Sequence, residues 1–386
     1  MTGLPDLPAA QALPATADVA VIGGGLVGAA VAWGLLRRGL RVVVLDEGDL
    51  AYRASRGNFG LVWVQGKGLD FPPYAHLTRD SADAWPGFDA ALTEASGVSP
   101  MLTRAGGYGF CFSQAELDKA AANMARLAQQ TGGRFAYRMV GAEELRRELP
   151  WIGPEIPGAV HTELDRGANP LYLLRGLHLA IARAGGVLLP DHKVTRLAET
   201  GAGYTVETKA GTLSAGQVVL AAGLGNAALA PMVGLTAPVR PVRGQILVTE
   251  RIPPFLNAVT SVIRQMHEGS CLIGATNEEA GYDTGTLPGA QAALAAQTLR
   301  LVPALEHVRI VRSWGALRVM TPDGLPIYDR AGPGAWLITV HSGVTLAPMH
   351  CERLSAAIAH GALPEALAPF SASRLAAMPE AARAAH

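Results

Sequence analysis

The stretch "VIGGGLVGAA", residues 21–30, decides the fold, because Gly23, Gly25 and Gly28 stand at G-x-G-x-x-G spacing between two apolar runs. Residues 18–23 read as a short buried strand, 26–38 as a helix ending at Gly39, and 41–46, "RVVVLD", as a second strand rich in β-branched residues. That is a βαβ unit. Its first glycine permits the tight turn, its second lets backbone approach a pyrophosphate, and its third lets helix and strand pack, with the helix N-terminus facing the anion. Asp46 follows Gly28 by eighteen residues, at the end of the second strand, where an acid accepts hydrogen bonds from a ribose and disfavours a 2′-phosphate. The spacing points to an adenine dinucleotide. FAD and NAD share this physics, so both remain open on the glycine turn alone.

Outward from this unit, "AYRASRGNFGLVWVQGKG" (51–68) holds few helix formers and reads as a loop, while 74–95 returns to helical spacing. Residues 115–130 form a polar-faced helix by pattern. "LDRGANP" (164–170) punctuates the chain before an amphipathic helix with a glycine stop. Strand patterns follow in "VLLPDHKVTRLAET", "GYTVETKAG" and at 216–223, then at 242–249 and 259–275, with a helix at 288–303. No internal repeat is present, and the Ala-rich tail from 375 reads as a loosely held end.

The bulk numbers bound the rest. A chain of 386 residues is long for one core and predicts two lobes. Lys+Arg and Asp+Glu number 32 each, so bulk electrostatics favours neither nucleic acid nor an anionic membrane. Cys111, Cys271 and Cys351 are far apart and form no CxxC, which predicts no disulfide framework, no metal site and a reducing compartment. "MTGLPDLPAAQALPATAD" lacks a basic residue followed by an apolar core, so the expectation is a cytoplasmic protein. Residues 19–36 are uncharged and mostly apolar, but their five glycines suit a strand, turn and helix better than a lipid-spanning helix.

The chain resembles the glycine oxidase and D-amino-acid oxidase (DAO) family of FAD enzymes from about Asp18 to about residue 375. The resemblance is carried by "ADVAVIGGGLVGAAVAWGL", "VVVLDEG", "ASRGNFG", "DRGANP", "VVLAAGLGN", "RPVRGQ", "LIGATNE", "WGALRVMTPDGLPI" and "HSGVTLAP". "SRGNFGLVWVQGKG" and "HSGVTLA" are most similar to the FAD-carrying β subunits of opine oxidases and D-hydroxyproline dehydrogenases. The implied fold class is α/β: a Rossmann-like FAD-binding domain with a second, antiparallel-sheet α+β substrate domain, as in glycine oxidase. The FAD domain would be assembled from residues 1–90, 155–235 and 312–386, and the substrate domain from 91–154 and 236–311.

The resemblance also implies site residues. Gly23, Gly25, Leu26, Val27 and Gly28 would hold the diphosphate, and Asp46 and Glu47 the ribose. In the loop after the second strand, Ser55, Gly57, Asn58 and Phe59 would serve the diphosphate and the flavin edge. The backbone of Val194 would bracket the adenine, and Ala222 and Gly223 would form a second glycine turn against the dinucleotide. Gly343, Val344, Thr345 and Leu346 would lie along the pyrimidine end of the flavin, where backbone N–H groups at a helix start stabilise negative charge on reduction without a buried lysine. His341 is a candidate for adding to that field. His76, on a helix by pattern, reads as packing.

Arg318, amid apolar residues in "SWGALRVMTPDGLPIYDR" (313–330), is a guanidinium that needs either a buried carboxylate or an anionic ligand. In the family the arginine of "GLRPxTPDG" holds the substrate carboxylate above the flavin; here the motif is "ALRVMTPDG", with Val319 replacing the proline. The alternative for Arg318 is an ion pair with Asp323. Arg264 is a secondary candidate for a second substrate carboxylate. The expected reaction is hydride transfer from the α-carbon of an amino or imino acid (opine, D-amino acid, hydroxyproline or glycine-like) to flavin N5, giving an imine that water hydrolyses, with Arg318 and His341 as the catalytic candidates. Two alternatives stand beside it: a flavin-binding electron-transfer or assembly subunit, and an NAD-dependent dehydrogenase. The partners implied are a small amino or imino acid and either an iron-sulfur partner subunit or further copies of this chain.

Overall fold

The computed structural model describes Pro5 and residues 11–48, 54–103 and 106–378. Residues 1–4, 6–10, 49–53 and 104–105, and the end of the Ala-rich tail from 379, lie outside the described residues.

Strand β1 (Thr16–Ile22) and strand β2 (Val42–Leu45) run parallel at the centre of an eight-stranded sheet, with Val21 opposite Val44 and Ile22 opposite Leu45. Their near-continuous apolar sequences follow from burial on both faces. Between them helix α1 (Leu26–Leu36) is apolar all round and correspondingly buried along its length. Gly34 explains itself here: a Cβ on it would stand 1.9 Å from the carbonyl oxygen of Cys351, so the helix can lie directly on another segment's backbone. Gly39, at φ +78°, ends the turn that follows.

The sheet continues from β1 to the parallel strand Gly211–Leu220 and then Ala335–Thr339, and from β2 to Val187–Leu189. Antiparallel strands at Ile327–Ala331, Val194–Thr200 and Gly203–Thr208 complete it. A four-stranded antiparallel sheet joins Ile263–Gln265, Cys271–Gly274, Arg240–Thr249 and Ile310–Met320 in that order. In a second four-stranded sheet, Val259–Thr260, Gly107–Cys111, Gly158–Thr162 and Arg138–Gly141, only the first strand falls in a stretch that the sequence pattern marks. Two expected domain boundaries therefore run through sheets rather than between them. The cut at 312 divides the strand Ile310–Met320, and the cut at 155 separates Gly158–Thr162 from the strands it pairs with.

The helix Pro170–Arg183 forms where the amphipathic pattern predicts it. Asn169 caps it by accepting from the N–H groups of Leu171 and Tyr172, and Pro170 occupies its first turn. Helix α2 (Pro72–Ser96) ends at Gly97, whose φ is +70°. The tail is held further than expected: Leu375 is buried and Arg374 is ion-paired, so the chain stays docked to residue 378. Among the described residues no helix is long and apolar enough to cross a membrane.

Candidate active site

The carboxyl ends of the central parallel strands open onto a cavity of about 1410 Å3, larger than the roughly 300–1,000 Å3 of an ordinary small-molecule pocket. At one end lies the glycine turn. Gly23 has φ +106°, and a Cβ on it would stand 2.4 Å from the carbonyl oxygen of Ala221, so the two glycine turns pack backbone to backbone. A Cβ on Gly28 would stand 1.9 Å from the carbonyl oxygen of Gly23. Ser55 Oγ accepts from the N–H of Leu26 at 2.9 Å, whereas the N–H groups of Val27 and Gly28 donate to nothing among the described residues. The first turn of α1 carries no acidic residue. An open, positively polarised helix start facing a cavity is a cradle for phosphate.

Asp46 lines the same end. Its Oδ2 accepts from Gly24 N–H at 2.7 Å and its Oδ1 from Gly48 N–H at 3.0 Å, leaving one lone pair on each oxygen for a ribose hydroxyl. Glu47 and Val194 also line the cavity. His178, which sequence reasoning missed, reaches from the helix Pro170–Arg183 to place Nε2 2.7 Å from the Gly24 carbonyl oxygen. Burial lowers its pKa, and a neutral imidazole donating there braces the turn. Asn226 was quoted only as part of a motif. Fully buried, it accepts from Ala222 N–H at 2.9 Å and donates to Ile338 O and Thr339 Oγ1, each at 3.0 Å, locking the second glycine turn to the neighbouring strand.

The Ser55–Gly60 loop is stapled along its length. Asn58 Oδ1 accepts from Gly60 N–H at 2.6 Å, and Trp314 Nε1 donates to Gly57 O at 3.3 Å. Arg264 donates to the carbonyl oxygens of Phe59, Gly60 and Ala168. It has no carboxylate partner among the described residues, and burial pulls its pKa down to about 10. Neither Arg264 nor Arg318 lines the cavity itself; Arg318 stands between two residues that do, whereas Arg264 is spent beneath the loop. The expectation that it takes a second substrate carboxylate gives way to a different place, a brace beneath Phe59 and Gly60.

At the other end of the cavity stand His341 and Gly343. The N–H groups of Gly343, Val344 and Thr345 donate to nothing among the described residues, while Leu346 N–H is spent on Ser342 O at 3.0 Å. Three donors are therefore open, not four. Their peptide planes are fixed from behind: Ser81 Oγ donates to Thr345 O at 2.8 Å, and Trp85 Nε1 donates to Val344 O at 3.2 Å. The Thr345 side chain is turned away to hold Trp63 N–H at 3.1 Å. His341 exposes its ring to the cavity while protein surrounds it otherwise, and burial, then Lys67 and Arg318, push its pKa down to about 3. It is neutral and adds no charge to the amide field.

Arg318 sits on the strand Ile310–Met320 between Leu317 and Val319, which line the cavity. Its half-buried guanidinium folds across Gly244, where a Cβ would meet it at 2.6 Å, and donates to Arg243 O at 3.3 Å. No carboxylate lies within ion-pair distance among the described residues. Burial lowers its pKa, with Glu278 acting weakly the other way. Glu278 is itself held by Arg243 at 2.8 Å. Val319 packs on the second glycine turn, its Cγ2 3.2 Å from where Gly223 would carry a Cβ.

Val27 of the first amide set and Gly343 of the second thus line one cavity, with the ribose-competent Asp46 near the first and Arg318 within electrostatic reach of His341 near the second. Unpaired N–H groups at both ends and an acid beside one of them are the donors and acceptor that a dinucleotide requires. Among the described residues no group of His, Cys, Asp or Glu is placed to hold a metal ion.

Residues 18–357 match the family described as DAO, FAD dependent oxidoreductase. A subunit of the opine oxidase of Rhizobium meliloti is 41% identical over 92% of this chain and 97% of its own length. The HcnC subunit of the hydrogen cyanide synthase of Pseudomonas aeruginosa is 28% identical over 95% of this chain and 98% of its own. Among solved structures, glycine oxidase from Geobacillus kaustophilus superposes with a TM-score of 0.85 at 26% identity, covering 93% of this chain and 98% of that one.

Proposed function

Because the chain belongs to the DAO family of FAD-dependent oxidoreductases, we propose that it oxidises the C–N bond of an opine-type amino or imino acid. The observation that carries this reading is Arg318, an arginine beside the cavity with no carboxylate within ion-pair distance among the described residues. It is paired with the 41% identity to an opine oxidase subunit.

The guanidinium would take the substrate carboxylate in a bidentate fork, which fixes the α-carbon hydrogen relative to the cofactor and leaves the amine free. Arginine suits this geometry better than lysine. FAD, when bound, supplies the two-electron acceptor at its N5. The substrate loses a hydride from Cα and a proton from nitrogen, and water hydrolyses the resulting imine. A substrate amine that arrives deprotonated needs no protein base, and neutral His341 offers hydrogen bonding rather than charge. Val27 and Gly28 would hold the diphosphate, Asp46 the ribose, and Gly343–Thr345 the pyrimidine edge. The eight-stranded sheet would carry the cofactor and the two four-stranded sheets the substrate.

Two of the relatives are named as subunits, and this reading extends the same organisation to the present chain, with a hetero-oligomeric partner of iron-sulfur type. A reading as an electron-transfer or assembly subunit rests on the same names. A screen of amino and imino acids against the isolated chain, comparing oxygen with an artificial acceptor, separates them: a chain competent in chemistry turns over by itself with one acceptor or the other.

A further inference from the structure

Lys67, in "WVQGKG" (63–68), stands where no lysine was anticipated. Its Nζ donates to Ser342 Oγ and lies 5.7 Å from the centroid of the Tyr74 ring. Ser342 is buried, shares a hydrogen bond of 2.9 Å with Tyr74 OH, and sits between His341 and Gly343, which both line the cavity. No carboxylate is within ion-pair distance of Lys67 among the described residues. Asp165, whose field reaches it, spends its oxygens on Val64 N–H at 2.6 Å and the Gln65 amide at 2.7 Å.

A partly buried ammonium without a counter-ion is costly unless a negative charge arrives with a ligand. Lys67 is aimed at the residue that begins the turn with the unpaired amides, so the charge it awaits is on what those amides bind. We propose that Lys67 is an electrostatic residue for the cofactor, its ammonium standing behind Ser342 and favouring the reduced, negatively charged flavin over the oxidised one. A hydride brings two electrons and one proton, so one net negative charge is left over the N1 and C2=O edge. Lysine keeps its proton and exchanges no atom. The inference rests on the reading above that this edge lies at Gly343–Thr345.

The test uses the FAD-loaded protein and measures the two-electron reduction potential of the flavin together with its affinity for sulfite. Lys67→Met should weaken sulfite binding about tenfold and lower the potential by about 30 mV, the equivalent of tenfold for a two-electron couple. Lys67→Arg should stay close to the parent, and Ser342→Ala should shift both readouts in the direction of Lys67→Met. Should Lys67→Met fail to retain FAD, Lys67→Arg and Ser342→Ala decide on the same readouts. Gly343→Ala, which places a methyl at the turn itself, is the control. Movement with Gly343→Ala but none with Lys67→Met or Ser342→Ala overturns the role of Lys67 while leaving the flavin at this turn. If no variant moves either readout, the flavin edge lies elsewhere and both readings fall.

Discussion

Arg374 grips Asp323 fork to fork, Nε to Oδ2 at 2.7 Å and Nη2 to Oδ1 at 3.0 Å, in a pair both of whose side chains are less than one-fifth exposed. That contact removes the structural partner that the sequence offered Arg318. The pair ties the turn after the arginine strand to the C-terminal segment. Asp323→Asn should therefore lower the melting temperature by leaving a largely buried guanidinium without its carboxylate, a loss of about 1.5–3 kcal/mol for a hydrogen bond to a charged group. Substrate affinity should stay near the parent's.

Arg318→Ala should behave oppositely. Loss of a charge-assisted carboxylate contact of about 1.5–3 kcal/mol weakens substrate binding roughly ten- to a hundredfold. Steady-state kinetics and a melting curve check it; unchanged kinetics with a lowered melting point would assign Arg318 a structural task.

Gly28→Ala should abolish FAD retention, because its methyl would be driven to within 1.9 Å of the Gly23 carbonyl oxygen and the phosphate turn would have to open. Flavin content after gel filtration reads this directly.

His341 has its pKa at about 3, well below the ordinary 6.5. Between these values the unfolded chain binds a proton that the native chain refuses, so its contribution to stability is present above about 6.5 and is lost as pH falls towards 3. Between pH 6.5 and 8 the His341 imidazole stays neutral. His341→Gln should change rates without moving any inflection of the pH–rate profile in that range.

Asp165 is the reverse case. Burial raises its pKa to about 7 against hydrogen bonds from Val64 and Gln65 that pull it down. The native carboxyl therefore holds a proton that the unfolded chain has lost between about 3.8 and 7, and stability falls as pH rises through that window. Three pH units correspond to on the order of 4 kcal/mol. Denaturation of Asp165→Asn beside the parent should show a difference that grows in the variant's favour from pH 4 to pH 7.

The βαβ unit was legible because its signals are local: β-branched strands, a glycine turn and an acid at the end of β2. The helix Pro170–Arg183 was legible through its cap and its period. The sheet around Gly107–Cys111 was not, since "GYGFC" carries glycines where strands usually carry branched residues, and those glycines make room for Trp63, Gln65 and Asp165. The site divides the same way. Glycines that approach a phosphate announce themselves by spacing, whereas His178 meets Gly24 across 154 residues and Lys67 meets Ser342 across 275. Such contacts are made by tertiary placement and leave no periodic trace. Arg264 shows the limit from the other side: a lone arginine in a strand has no sequence mark that separates a ligand hook from a brace of backbone carbonyls.

Whether this chain takes electrons from the C–N bond of an amino or imino acid into FAD is read by anaerobic mixing of the isolated, FAD-loaded protein with opines and related amino acids. The flavin's visible absorbance should be lost with at least one opine-type substrate, and the response should be strongly weakened in Arg318→Ala. A flavin that stays oxidised with every such substrate, and bleaches only when a partner subunit is supplied, would contradict the proposed C–N oxidation.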